Sequence, residues 1–137
     1  MLVLALIFLI TGAGYAFEVY VADTDQGEAA LIISDDAVMI IDIVSTDGLS
    51  ALFELLASND VDVIDSLVLT HPSHDAAASL ERLAAIHPIK RLIIPADISE
   101  TNNGELLRGL VDGGTQIIHP YAGGQTEIGH ATAMSLS

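Results

Sequence analysis

The segment His71-Pro72-Ser73-His74-Asp75 sets two imidazoles and a carboxylate within five residues. These are the hard-to-borderline donors that zinc or manganese accepts, and no other stretch of the 137-residue chain concentrates them. His71, His74 and Asp75 are therefore the candidate metal ligands. A plainer reading competes with this one. Asp75 would cap the helix that follows it, its carboxylate satisfying orphan N–H groups, and the two histidines would be solvated loop residues. Three donors in a short loop are not by themselves a known ligand spacing, so both readings stand at this point.

Other acids and histidines are placed differently. Asp42 ends the apolar run Met39-Ile40-Ile41 and must find hydrogen bonds at the edge of the core, from where it could orient the histidine loop. Asp23, Asp25 and Glu28 surround Gln26-Gly27 between two apolar runs. A turn is the default reading, with cation binding by the three acids as the alternative. Asp23 is grouped with Asp42 as a support for the site from behind the ligands. His87 and His119 each precede a proline, at a helix end and a strand end, and His130 lies near the terminus. Singly, each reads as structural.

The elements that must hold this loop follow from periodicity. Phe17-Glu18-Val19-Tyr20-Val21 alternates with period two, and residues 29–33 and 38–43 are apolar on either side of a Ser34-Asp35-Asp36 turn, an antiparallel start. Ser45 or Thr46 can cap a helix whose Leu49, Leu52, Phe53 and Leu56 share one face, with a stop at Ser58-Asn59-Asp60. Residues 66–70 form a short buried strand that runs into the histidine loop, and a helix bearing Leu80, Leu83 and Ile86 follows. A strand at 91–94, a helix at 105–111 stopped by Gly113-Gly114, and a strand at 115–118 complete the pattern. This β-rich opening followed by β-α-β-α-β predicts an α/β chain. A largely parallel region covered by helices joins an antiparallel edge, and ligands bind at the carboxyl ends of the strands.

Composition limits what such a site can be. With no Cys, thiolate metal sites, disulfides and cysteine nucleophiles are excluded. Four Lys and Arg against 19 Asp and Glu give a net charge of −15, so this chain alone offers no basic stripe for nucleic acid or anionic lipid. With 51% hydrophobic residues it can build a core without metal or disulfide. Residues 1–16 are apolar and uncharged, and residues 17–137 carry the mixed-polarity domain. The leader has three readings. It is a signal peptide ending in small residues at Gly14 and Ala16, the tail of a transmembrane helix, or a buried first strand or helix. Either of the first two makes the protein exported or membrane-associated, and the mass of the mature N-terminus separates them.

Several segments taken together carry a family resemblance. Residues 21–32 (Val-Ala-Asp-Thr-Asp-Gln-Gly-Glu-Ala-Ala-Leu-Ile), Met39-Ile40-Ile41-Asp42 and 65–72 (Asp-Ser-Leu-Val-Leu-Thr-His-Pro) resemble the metallo-β-lactamase superfamily. They are most similar to the hydrolase domain of ComEC-type competence proteins, which act in DNA internalisation. That domain opens on a strand ending Asp-Val-Gly-Gln-Gly-Asp-Ala and continues to a buried strand ending in Asp. It then reaches Ser-His-Pro-His-x-Asp-His. Thr126-Glu127-Ile128-Gly129 resembles the family strand after the third helix. The resemblance implies an αββα sandwich, of which residues 17–137 correspond to about the first half.

The resemblance also implies a metal site and shows where this chain departs from it. The family pattern His-x-His-x-Asp-His gives two His to one metal and Asp plus His to a second. Aligned on Pro72, His71 and Asp75 match, whereas Ser73 and Ala76 replace two ligands and His74 lies one residue out of register. The expectation is a degenerate or truncated metal-dependent hydrolase acting on a phosphodiester or other ester. It would hold zinc or manganese weakly or no metal, with Asp75 or a metal-bound water as the base. The alternative is a secreted or periplasmic non-catalytic α/β domain kept for binding or assembly. A homodimer through the sheet face left without a second half is the expected assembly, with membrane contact through the leader.

The acid excess has one further consequence. A carboxylate-rich, lysine-poor surface stays soluble where salt screens its self-repulsion, which points to a salt-loving source. The chain is expected to lose folded structure, followed by circular dichroism and light scattering, as salt is dialysed away. Equal folding and solubility without added salt would contradict this.

Overall fold

In a computed structural model, residues 3–6, 17–25, 27–35, 37–70, 76–95, 104–121, 125–128 and 131–134 are described. Seven strands form one sheet in chain order: β1 (Val3–Leu6), β2 (Phe17–Thr24), β3 (Gly27–Ser34), β4 (Ala37–Ile41), β5 (Ile64–Val68), β6 (Ile89–Ile93) and β7 (Gln116–Ile118). The first four are antiparallel, and β4 to β7 run parallel. Parallel neighbours require crossovers, which α1 (Leu49–Ser58), α2 (Ala76–Ile86) and α3 (Gly104–Asp112) supply. A separate hairpin pairs β8 (Gln125–Ile128) with β9 (Ala131–Met134). The mixed sheet with helices packed on it is the architecture the sequence pattern implies. Val3–Leu6 pairs with β2 as an edge strand, and the rest of the leader lies outside the described residues. Among the described residues no helix is long and apolar enough to cross a membrane.

One face of the sheet carries the core. Leu31, Ile40, Leu67 and Leu92 from successive strands are fully buried against Leu49, Leu52 and Leu56 of α1, Leu80 and Leu83 of α2, and Leu110 of α3. Because β4 to β7 follow one another in order, right-handed crossovers that all step the same way place the three helices on that one side. Two details of the helices depart from the periodicity reading. Ile86 is 62% exposed. At about 100° per residue, the buried stripe of Ala76, Leu80 and Leu83 continues at position 87, leaving residue 86 about 80° off it. Nor does a hydroxyl cap α1. Residues Thr46–Gly48 form a 3₁₀ turn closed by the Gly48 N–H donating to Ser45 O at 2.9 Å, and the helix starts after Gly48 without a side-chain cap. A side chain at 48 would meet Thr24 Oγ1 at 2.9 Å and Val44 Cβ at 3.1 Å, so the residue entering α1 has to be glycine or force Thr24 aside.

The opposite face is covered in its middle. Ala37 and Met39 are buried there with Ile32, Ile41 and Val68 packed around them, and β8 lies against β4. Arg91 of β6 reaches the hairpin, its Nη2 donating to Glu127 O at 2.9 Å.

At the amino ends of the parallel strands Asp65 acts as a tie. Its Oδ2 accepts from the Val38 N–H at 2.8 Å, linking β5 to β4, and its Oδ1 accepts from Lys90 Nζ at 2.6 Å. Partial burial pushes this carboxyl up. The hydrogen bonds from Lys90 and Val38, with the charges of Lys90 and Arg91, outweigh burial and hold it below the ordinary carboxylate range. A group depressed on folding contributes stability that is present above its unfolded pKa and lost as pH falls through its folded one. Asp65→Asn should therefore be clearly less stable than the parent near neutral pH, and the gap should narrow on acidification below about pH 4. Urea midpoints for both proteins across that range test it; a gap independent of pH would show that the carboxylate charge is not what stabilises the tie.

Candidate functional site at the carboxyl edge of the sheet

Strands β4 to β7 all deliver their carboxyl ends to one edge, and the connections beyond them stay hydrogen-bonded past the strand limits. The Asp42 N–H donates to Val68 O at 2.7 Å, Leu69 N–H to Ile93 O at 2.9 Å, and Ile94 N–H to Ile118 O at 3.0 Å. This edge is where a twisted parallel sheet opens a crevice for ligands.

Asp42 is the built feature of that edge. Its backbone leaves the extended region at φ 59°, a left-handed conformation that Asp tolerates better than most residues, and β4 stops there instead of running on to residue 43. The turn aims the carboxylate across to the next strand. Oδ1 accepts from the Thr70 N–H at 2.7 Å and Oδ2 from Thr70 Oγ1 at 2.6 Å. Charge-assisted bonds of this length are the strong ones. Thr70 immediately precedes His71 in the chain, so the fold fixes the residue from which the histidine loop departs. Sequence reasoning singled out Asp42 but not Thr70. The available signal was a hydroxyl residue at the end of an apolar strand, next to the histidine.

The other site candidates separate. His71, His74 and Asp75 lie outside the described residues. Asp23 is exposed near the end of β2, opposite Glu28. It shares the edge with Asp42 but lies two strands away, about 10 Å by strand spacing. His119 also comes to this edge, just past β7. Its Nδ1 lies 3.0 Å from Ile94 O, and because a carbonyl only accepts, Nδ1 carries the proton of that bond. His87 sits at the opposite edge, past the end of α2, with its ring stacked on Phe53 at 6.0 Å between centroids. His130 lies outside the described residues. Among the described residues, no three His, Asp or Glu side chains gather closely enough to hold a metal ion.

No family model and no curated protein matches the chain. Solved structures do. The apo state of the chemotaxis sensor ODP from T. denticola superposes with a TM-score of 0.67 at 13% identity, over 97% of this chain and 53% of that one. The metallo-β-lactamase SMB-1 in a complex with mercaptoacetic acid gives 0.64 at 12% identity, over 83% and 48%. A metallo-β-lactamase from Cronobacter sakazakii with a HARLDQ motif gives 0.62 at 18% identity, over 83% and 44%. The chain has a partial metallo-β-lactamase fold and spans about half the length of these neighbours.

The Asp42–Thr70 bridge can be tested without any ligand. Asp42→Ala removes both carboxylate bonds and leaves a side chain at positive φ, so it should cost about 2 kcal/mol or more in urea unfolding. Asp42→Gly, free of the conformational penalty, should recover part of that loss. If both variants match the parent within a few tenths of a kcal/mol, the bridge does not stabilise this edge.

Proposed function

We propose that the chain is the metallo-β-lactamase-fold domain of a ComEC-like competence or DNA-uptake protein, membrane-associated or exported, with a reduced metal-dependent hydrolase site for a phosphodiester or other ester. The observation that carries this reading is the Asp42–Thr70 bridge. It anchors the residue before His71 on the edge where the fold binds ligands, which a merely solvated loop would not require. The likeness of residues 21–32 and 65–72 to the competence-protein hydrolase domain supports the finer assignment.

The donor chemistry suits a weakly held ion. His71, His74 and Asp75 offer two neutral imidazoles and a carboxylate, an acceptable set for zinc or manganese but a minimal one. When bound, a divalent ion would polarise an ester oxygen and acidify water. The chain's own contribution is positional. Asp42 holds Thr70, and through it the start of the loop, while Asp75 is placed by sequence to accept a proton from an attacking water. The HARLDQ motif named for the Cronobacter neighbour has His and Asp at the same spacing as His71 and Asp75. It carries Arg and Gln where this chain has Ser73 and Ala76. That parallel supports a site centred on His71 and Asp75.

The second reading is a non-catalytic binding or assembly domain, favoured by the replacement of two family ligands by Ser73 and Ala76. Metal analysis after dialysis against zinc or manganese separates the two. The hydrolase reading expects close to one ion per chain, lost in His71→Ala and retained in His87→Gln, with slow cleavage of a phosphodiester such as bis-p-nitrophenyl phosphate. Stoichiometry well below one per chain would leave the binding domain.

A further inference from the structure

Among the described residues, His119 is the imidazole that comes to the carboxyl edge, one residue past β7. The ladder sets its level. Val68, Ile93 and Ile118 are paired in register, the Leu69 N–H donates to Ile93 O, and the Ile94 N–H donates to Ile118 O. Leu69, Ile94 and His119 therefore stand side by side at the ends of three adjacent strands. Thr70, from which the histidine loop departs, directly follows Leu69. Two strand spacings separate β5 from β7, about 10 Å, a gap that two imidazole side chains converging on one ion can close.

The ring of His119 is held as a metal ligand is held. Its Nδ1 donates to Ile94 O at 3.0 Å. Ile94 is 1% exposed and its own N–H is bonded to β7, so the anchor is part of the ladder. A histidine that binds an ion through one ring nitrogen ordinarily gives its other N–H to a carboxylate or a backbone carbonyl, which fixes tautomer and orientation. The bond to Ile94 leaves Nε2 for a further partner, and the residue is exposed. His87 is the contrast, with its ring stacked on Phe53, its Nδ1 buried, and its place at the opposite edge.

The loop has a use for such a donor. A zinc site open to water takes about three protein ligands. In register with the family pattern the loop keeps His71 and Asp75, while Ser73 and Ala76 stand where two more ligands would be. One further imidazole completes a set of two nitrogens and a carboxylate, a known catalytic zinc set.

We propose that His119 is a ligand of the divalent ion, its Nε2 joining His71 and Asp75 at the carboxyl edge. This rests on the metal reading above, and departs from it by taking the third donor from the end of β7 instead of from His74.

Zinc titration of the ¹⁵N-labelled full chain tests the proposal, followed by calorimetry and by long-range proton–nitrogen spectra of the imidazoles. The expected result is close to one ion per chain, with the His119 Nε2 signal displaced as zinc is added and the Nδ1–H retained. His119→Ala should weaken zinc binding by at least about tenfold, the scale on which even the groups behind a ligand act, with circular dichroism unchanged. His119→Gln, which can still donate to Ile94 O, should lose as much affinity, separating ligation from anchoring; it also replaces the alanine variant should that one unfold. One zinc per chain bound equally well by parent and both variants, with the His119 ring signals unmoved, would overturn the proposal and leave the metal reading standing. A parent that takes up well below one zinc per chain would overturn both.

Discussion

One carboxylate holds the functional edge together. Asp42 sits where β4 ends and, by turning left-handed, spends both oxygens on Thr70 at the end of the neighbouring strand. Removing either half of that arrangement has a structural cost. Without the positive φ the side chain would stand off one face of the sheet instead of turning across to β5. Without the carboxylate, the Thr70 N–H and hydroxyl lose their shared acceptor, while Leu69 and Val68 beside them stay paired to other strands. The departure of the histidine loop is thus set by backbone geometry upstream of it, before any ligand is considered.

How much of this was legible in the sequence depends on the scale of the interaction. The order of strands and helices follows from local apolar periodicity, and the parallel region follows from the need for crossovers, so both were readable. Asp42 was readable too, because an acid closing a run of Met39-Ile40-Ile41 must have partners. Its partner, 28 residues away, was not, since a hydroxyl at a strand end beside a histidine does not say which distant acid it will meet. The Ser45 or Thr46 cap failed for a similar reason. The tight approach of Gly48 to Thr24 comes from a strand some two dozen residues earlier and shifts the start of α1 past both candidates.

Carboxylates tie strands together at both edges of the parallel region. At the amino end Asp65 is paired with Lys90, one of only four Lys and Arg in the chain, and links β5 to both neighbours. At the carboxyl end the oxygens of Asp42 accept from the N–H and hydroxyl of Thr70. A chain with so few cations cannot pair its acids, so most must remain in water or be met by backbone and hydroxyl groups. Lys90 is used at the edge opposite Asp42, where its ion pair with Asp65 closes the amino ends of β5 and β6.

The same scarcity shapes the open sheet face. Arg91, a second of the four cations, donates across that face to the Glu127 carbonyl oxygen, and its charge also favours the ionised carboxyl of Asp65. A half-buried guanidinium on a sheet face is tolerable only while part of it stays in water or meets further acceptors. Whatever packs on the face has to respect that requirement, and an all-apolar partner would strand the charge if it reached β6. The hairpin supplies one such acceptor, the backbone oxygen of Glu127.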